Sequence, residues 1–127
     1  MRTAKLTLDG IDHLLCFSAR TVRAVSDRYG GLEKMNEAFS GGDTAKLLDE
    51  SLWVLAAMMD AGDRYAKLNG LDNPPPVSYE DMYDLVGMDD LEGLKGKVFE
   101  TISNGRSATV EVEPPKNAGA AQGKPGK

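Results

Sequence analysis

The chain has 127 residues, with 15 Lys and Arg against 20 Asp and Glu, a formal net charge of −5, one cysteine and one histidine. That length suits one domain. The lone Cys16 excludes an internal disulfide and a Cys-based zinc knuckle, and the lone His13 excludes a His-rich metal site or a two-His mechanism. An acidic body is a poor nucleic-acid binder, because phosphate neutralisation supplies most of that affinity. No apolar run approaches the roughly 20 residues that cross a bilayer. The opening MRTAKLTLDG lacks the apolar stretch of a signal peptide, so the expected compartment is the cytoplasm. The acidity sits in residues 1–103, with 11 basic and 18 acidic side chains, whereas residues 104–127 carry four and two.

Residues 3–17, TAKLTLDGIDHLLCF, predict a β-hairpin, because Asp9-Gly10 supplies the two positive-φ positions of a type I′ turn. With that turn Leu8 faces Ile11, Leu6 faces His13 and Ala4 faces Leu15, and all six share one side of the ribbon. Lys5, Thr7, Asp12, Leu14 and Cys16 take the other. A lone two-stranded ribbon is marginal in water. Either helices cover it or its edge pairs with another subunit, and Leu6, Leu8, Ile11 and Leu14 are the candidates for self-association.

Ser18 is a natural N-cap for a helix over 19–29, with Val22, Val25 and Tyr29 at helical spacing. Gly30-Gly31 ends it, and a short helix over 32–40 follows with Leu32, Met35 and Phe39 on one face. Gly41-Gly42-Asp43 breaks the chain again.

The stretch TAKLLDESLWVLAAMMDAGDRYAKL predicts the central helix, 44–69. Leu48, Leu52, Leu55 and Met59 recur at four, three and four residues, and Leu47, Trp53, Ala56 and Ala57 widen their stripe. A helix apolar over so much of its circumference must be covered by other elements. Charges gather at its two ends, so the centre should be buried and the ends wet. Asp43 or Thr44 can cap its start, and Gly70 stands where a left-handed residue closes it.

Three prolines, 74–76, then enforce an extended link. Ser78 with Asp81 resembles a capping box opening a helix over 78–86. Asp89 or Asp90 caps a last helix over 90–103, in which Leu91, Leu94, Val98 and Ile102 form a stripe. Gly93 and Gly96 weaken that helix by up to about 1 kcal/mol each, so it depends on packing. Residues 104–127 bring brief strand-like alternation at 109–112 and then small, polar, Gly- and Pro-containing sequence, which predicts a disordered tail. The fold class is α+β and mostly helical: a hairpin followed by about five helices in one domain, 1–103.

Chemistry is sparse. His13 and Cys16 fall on opposite strand faces, which argues against a Cys/His dyad. The glycines form neither GxGxxG nor GxxxxGK[ST]. Asp81, Asp84, Asp89, Asp90 and Glu92 are dense, but MDDLEG does not supply a calcium loop, and helix capping accounts for Asp81, Asp89, Asp90 and Glu92. The expectation is no enzyme, no catalytic residue, no cofactor and no metal. Met58, Met59 and Tyr65 could offer an adaptable apolar surface to partners.

Three patterns carry a family resemblance. They are an L-x-L-D-G-x-x-x-x-L-x-F-S-x-R opening from Leu6 to Arg20, a YGG-L junction at Tyr29 to Leu32, and an L-x-x-x-L-W-x-L helix from Leu48 to Leu55. In this order they resemble the tail assembly chaperones of long-tailed bacteriophages and prophages, over about residues 4–100. The resemblance implies a non-enzymatic protein that binds the tape measure protein, keeps that helical, apolar chain soluble, helps recruit tail tube subunits and leaves before the tail is complete. It also implies self-association and, in several members, a second, longer product made by ribosomal frameshifting. On this reading Leu52, Trp53, Leu55, Met58, Met59 and Tyr65 are the client-binding candidates, against the plainer reading that most of them are core, which is preferred for Leu52 and Leu55. The alternative is a small acidic adaptor or inhibitor that masks a basic partner.

Overall fold

Asp9 and Gly10 hold φ of 51° and 80°, the positive pair that a type I′ turn requires. They join β1 (Thr3–Leu8) to β2 (Ile11–Cys16) in the expected register, with Leu8 opposite Ile11, Leu6 opposite His13 and Ala4 opposite Leu15. The structure, a computed structural model, describes residues 2–106. One face of the ribbon is buried at Ala4, Leu6, Leu8, His13 and Leu15; Ile11, next to the turn, is 52% exposed. On the opposite face Lys5, Thr7 and Asp12 are exposed, while Cys16 is buried.

Five helices follow: α1 (Ala19–Tyr29), α2 (Leu32–Phe39), α3 (Thr44–Leu68), α4 (Tyr79–Met82) and α5 (Leu91–Gly105). The protein is therefore α+β and mostly helical, with α3 along β2 and α5 along β1. Gly30 at φ 91° closes α1 in the left-handed conformation, its N–H donating to the Ser26 carbonyl. Asp43 caps α3 by accepting from the N–H groups of Ala45 and Lys46 at 3.0 and 3.2 Å. At the other end Gly70 has φ 66°, and the Leu71 N–H reaches back to the Ala66 carbonyl at 2.9 Å. That bond and that φ form the closing turn anticipated for Gly70.

Two helices differ from expectation. In α1 the buried positions are Thr21 and Val25, and Val22 is 44% exposed. The Thr21 hydroxyl donates to the Cys16 carbonyl at 2.9 Å, which turns Thr21 inward and rotates Val22 out. Ser18 stands at the cap position without a side-chain hydrogen bond. Instead of 78–86, α4 covers only Tyr79–Met82. Its start is as expected, with the Ser78 hydroxyl accepting from the Asp81 N–H at 3.1 Å. Beyond Met82 the chain tightens into i→i+3 bonds, Asp84 to Asp81 and Leu85 to Met82, so the α-helical ladder ends. A 3₁₀ turn at Met88–Asp90 leads into α5, and the Asp90 carboxylate accepts from the Gly87 N–H at 2.7 Å.

The core runs from the hairpin through α3 to α5. Leu15, Met35, Leu52, Val54, Leu55, Met58, Met59, Met82 and Val98 have no exposed surface, and burying each such side chain contributes roughly 1.5–3 kcal/mol. Gly62 sets the closeness of α3 to the hairpin. A Cβ there would lie 2.0 Å from the Leu14 carbonyl oxygen, so only glycine lets the helix meet the strand backbone. The tail and its alternation at 109–112 lie outside the described residues, apart from residues 104–106, where α5 finishes.

Candidate functional site

The residues expected to present a surface on α3 divide into two groups. Leu52, Leu55, Met58 and Met59 are fully buried and are core rather than client surface. The reason is that β2, α1, α2, α4 and α5 all pack on α3 and close its apolar stripe. Met59 is further tied by the Val77 N–H, which points at its sulfur at 3.1 Å. Trp53 and Tyr65 stay partly exposed. The Arg28 guanidinium lies 4.4 Å from the Trp53 ring centre, and the Tyr29 ring meets Trp53 edge-on at 6.1 Å.

The hairpin edge, the candidate self-association surface, is partly covered within this chain. Leu6 and Leu8 are buried. Leu14 sits in a pair whose N–H and C=O point off the ribbon, and both groups are engaged by this chain. Its N–H donates to the Asn73 side-chain oxygen at 3.0 Å, and Gly62 lies against its carbonyl. On the β1 side the Asn104 amide donates to the Thr3 carbonyl at 3.0 Å. Of the four residues only Ile11 is more than half exposed.

Polar chemistry at α3 is bracing. Asp49 and Glu50 are adjacent, so on a helix they point about 100° apart and do not converge. Asp49 accepts from the Tyr83 hydroxyl at 2.5 Å, and the Tyr79 and Tyr83 hydroxyls lie 2.7 Å apart. Glu50 takes the Tyr29 hydroxyl and the Arg28 Nε, the latter at 3.2 Å. Desolvation, reinforced by the hydrogen-bonded carboxylates, pushes both Tyr29 and Tyr83 well above the ordinary phenol value. They stay protonated and act as donors that fasten α1 and α4 to α3.

His13 is 3% exposed, and its Nδ1 has no hydrogen-bond partner among the described residues. Burial lowers its pKa, opposed by the neighbouring Asp12 charge. The Cys16 thiol is fully buried and raised by desolvation. Among the described residues no three of His, Cys, Asp and Glu come together as a metal site, and no helix is long and apolar enough to cross a membrane.

Among the open features of the described residues, two lie at the ends of α3. At its start, Leu48, Tyr83, Val86, Met88 and Leu91 line an apolar notch of about 290 Å³. Met88 is 87% exposed. In the flanking sequence Glu80, Asp81, Asp84, Asp89, Asp90 and Glu92 are all exposed, none pairs with a lysine or arginine among the described residues, and Asp89 and Asp90 line a separate pocket beside the hairpin turn. At the far end a groove of about 350 Å³ runs between the start of α1 and the last turns of α3, and it contains Tyr65. Met88 was legible only as a residue outside both flanking stripes, following Gly87. Comparison with family models, with curated proteins and with solved structures gave no match.

Proposed function

We propose that this protein is a non-enzymatic chaperone of phage tail assembly, which holds the tape measure protein in solution and helps recruit tail tube subunits. One observation carries the reading: the residues bearing the resemblance are those that build the scaffold. Leu6, Leu8 and Phe17 are core, Asp9-Gly10 forms the turn, Gly30 closes α1, and Leu52 and Leu55 anchor α3. Such a motif describes a shape rather than a reaction. The surface that supports client binding is the notch at Met88. An apolar notch within a stretch of chain rich in exposed carboxylates suits an amphipathic helix that carries apolar anchors flanked by Lys or Arg. Methionine adapts to varied apolar partners.

The test is co-expression with a fragment of the tape measure protein. The wild-type chain is expected to keep the fragment in the soluble fraction and to co-purify with it. Met88→Glu should abolish capture while leaving the melting temperature unchanged, since Met88 contributes almost no buried area. A wild-type chain that leaves the fragment insoluble overturns the reading.

The unpaired carboxylates also favour a second reading, an acidic adaptor that masks a basic partner. Its mark would be capture lost at high salt and indifferent to Met88→Glu, because screening weakens exposed charge pairs and leaves apolar contact intact.

A further inference from the structure

The groove at the far end of α3 differs in charge from the rest of an acidic body. Its floor is Ala61, Tyr65 and Leu68, and its rim carries Arg20, Arg64 and Lys67. Leu68 is 87% exposed. Arg20 has no ion-pair partner among the described residues, and Arg64 reaches only the half-exposed Asp60, at 3.6 Å. Lys67 pairs with Asp63 at 2.9 Å and is itself 77% exposed. Three cations therefore surround an uncovered apolar floor.

The described chain ends at the mouth of this groove. Gly105 packs so closely on Phe17 that a Cβ would lie 2.6 Å from the Phe17 Cβ, and the next residue, Ser18, lines the groove. The sequence that continues from there is Ser107-Ala108 and then Thr109-Val110-Glu111-Val112-Glu113. Residues 110–113 alternate between apolar and acidic and include the only two acids in residues 104–127.

We infer that residues 109–113 of this chain dock in the groove between α1 and α3, with Val110 and Val112 on Tyr65 and Leu68 and with Glu111 and Glu113 paired to Arg20, Arg64 and Lys67. In an extended segment the two valines share one face and the two glutamates the other. Arginine and lysine stems are long enough to reach from a rim over the outer face of such a segment. Length also permits it. Seven residues from 107 to 113 span up to roughly 23 Å, whereas α3 from Ala61 to Leu68 is roughly 10 Å long. A two-residue tether gives the segment an effective concentration on the order of millimolar, so modest contacts suffice. This surface lies at the opposite end of α3 from the Met88 notch and does not depend on what that notch holds.

The test is nuclear magnetic resonance on the full chain. The expected result is a set of through-space contacts from the Val110 and Val112 methyls to the Tyr65 ring and Leu68 methyls. Those contacts should vanish in the E111K/E113K chain. They should return when E111K/E113K is combined with R20E/R64E, which restores complementarity with the signs exchanged. The tail variant alters no residue packed in the described fold, so unchanged α3 core resonances show that the loss is local. Absence of the contacts in the wild type overturns the inference, as does failure of the sign exchange to restore them. Contacts seen only between differently labelled copies in a mixed sample would assign the groove to a second chain's tail, and would overturn docking within one chain.

Discussion

Between Ser51 and Met59, α3 is closed on most sides, and six of its residues there have no exposed surface. At its two ends the same helix meets solvent beside an apolar surface, with Leu48, Val86 and Leu91 next to Met88 at one end and Arg20, Arg64 and Lys67 about Tyr65 at the other. The middle buries whatever is apolar because other elements press on the helix from several sides. The ends keep apolar surface because the loop after α4 and the start of α1 stop short of covering it. Apolar composition alone therefore does not distinguish core from partner surface on this helix. Which neighbour arrives does.

If the middle is as tightly specified as its geometry implies, Gly62→Ala is the most damaging single change. The new methyl would have to displace the Leu14 backbone, and we expect a loss of at least about 3 kcal/mol, at the upper end of overpacking costs. Urea unfolding measures it, and an unchanged midpoint would mean that the helix–strand approach is looser than described. Tyr83→Phe should cost less, about 1–2 kcal/mol, because it removes the hydrogen bonds to the partly buried Asp49 carboxylate and to the Tyr79 hydroxyl and leaves the ring in place. A double-mutant cycle with Asp49→Asn separates the Asp49 bond from the rest, and additive effects would show that the bracing contributes nothing.

The smallest effect is a pH dependence from His13 on β2. Its folded pKa lies below the unfolded 6.5, so the unfolded state takes up the proton first as pH falls. The contribution is fully present above about 6.5, declines as pH drops from there towards the lowered folded value, and then levels off. His13→Leu should flatten that part of the stability profile. A slope unchanged in the variant would trace it to other groups.

Much of this arrangement was legible in the sequence, for local reasons. The Asp9-Gly10 turn fixes strand register within a few residues, and Asp43, Ser78 and Gly70 act on backbone groups two to five residues away. What escaped was set by bonds that helical spacing does not register or by partners far along the chain. Thr21 displaces Val22 because the Cys16 carbonyl is there to receive its hydroxyl. The helix after Ser78 stops at Met82, where its bonding shifts to i→i+3. Helical spacing singled out Leu52, Leu55, Met58 and Met59, but spacing reports a shared side and not whether that side is covered. Gly62 resembles any weak point in a helix until the strand it touches is known. Arg20, Arg64, Lys67 and Leu68 gather only in three dimensions, forty-four residues of chain separating Arg20 from Arg64.

The bond from the Asn104 amide to the Thr3 carbonyl joins residues 101 positions apart, and Gly105 rests on Phe17 in the same region. A ribosome therefore delivers the first strand long before the helix that completes its surroundings. Until then the opening hairpin waits with part of its greasy side bare, since contacts so distant in sequence form late. A chain cut ahead of Asn104 would lack both the amide that meets the Thr3 carbonyl and the glycine that rests on Phe17, and so would leave the first strand without its seal.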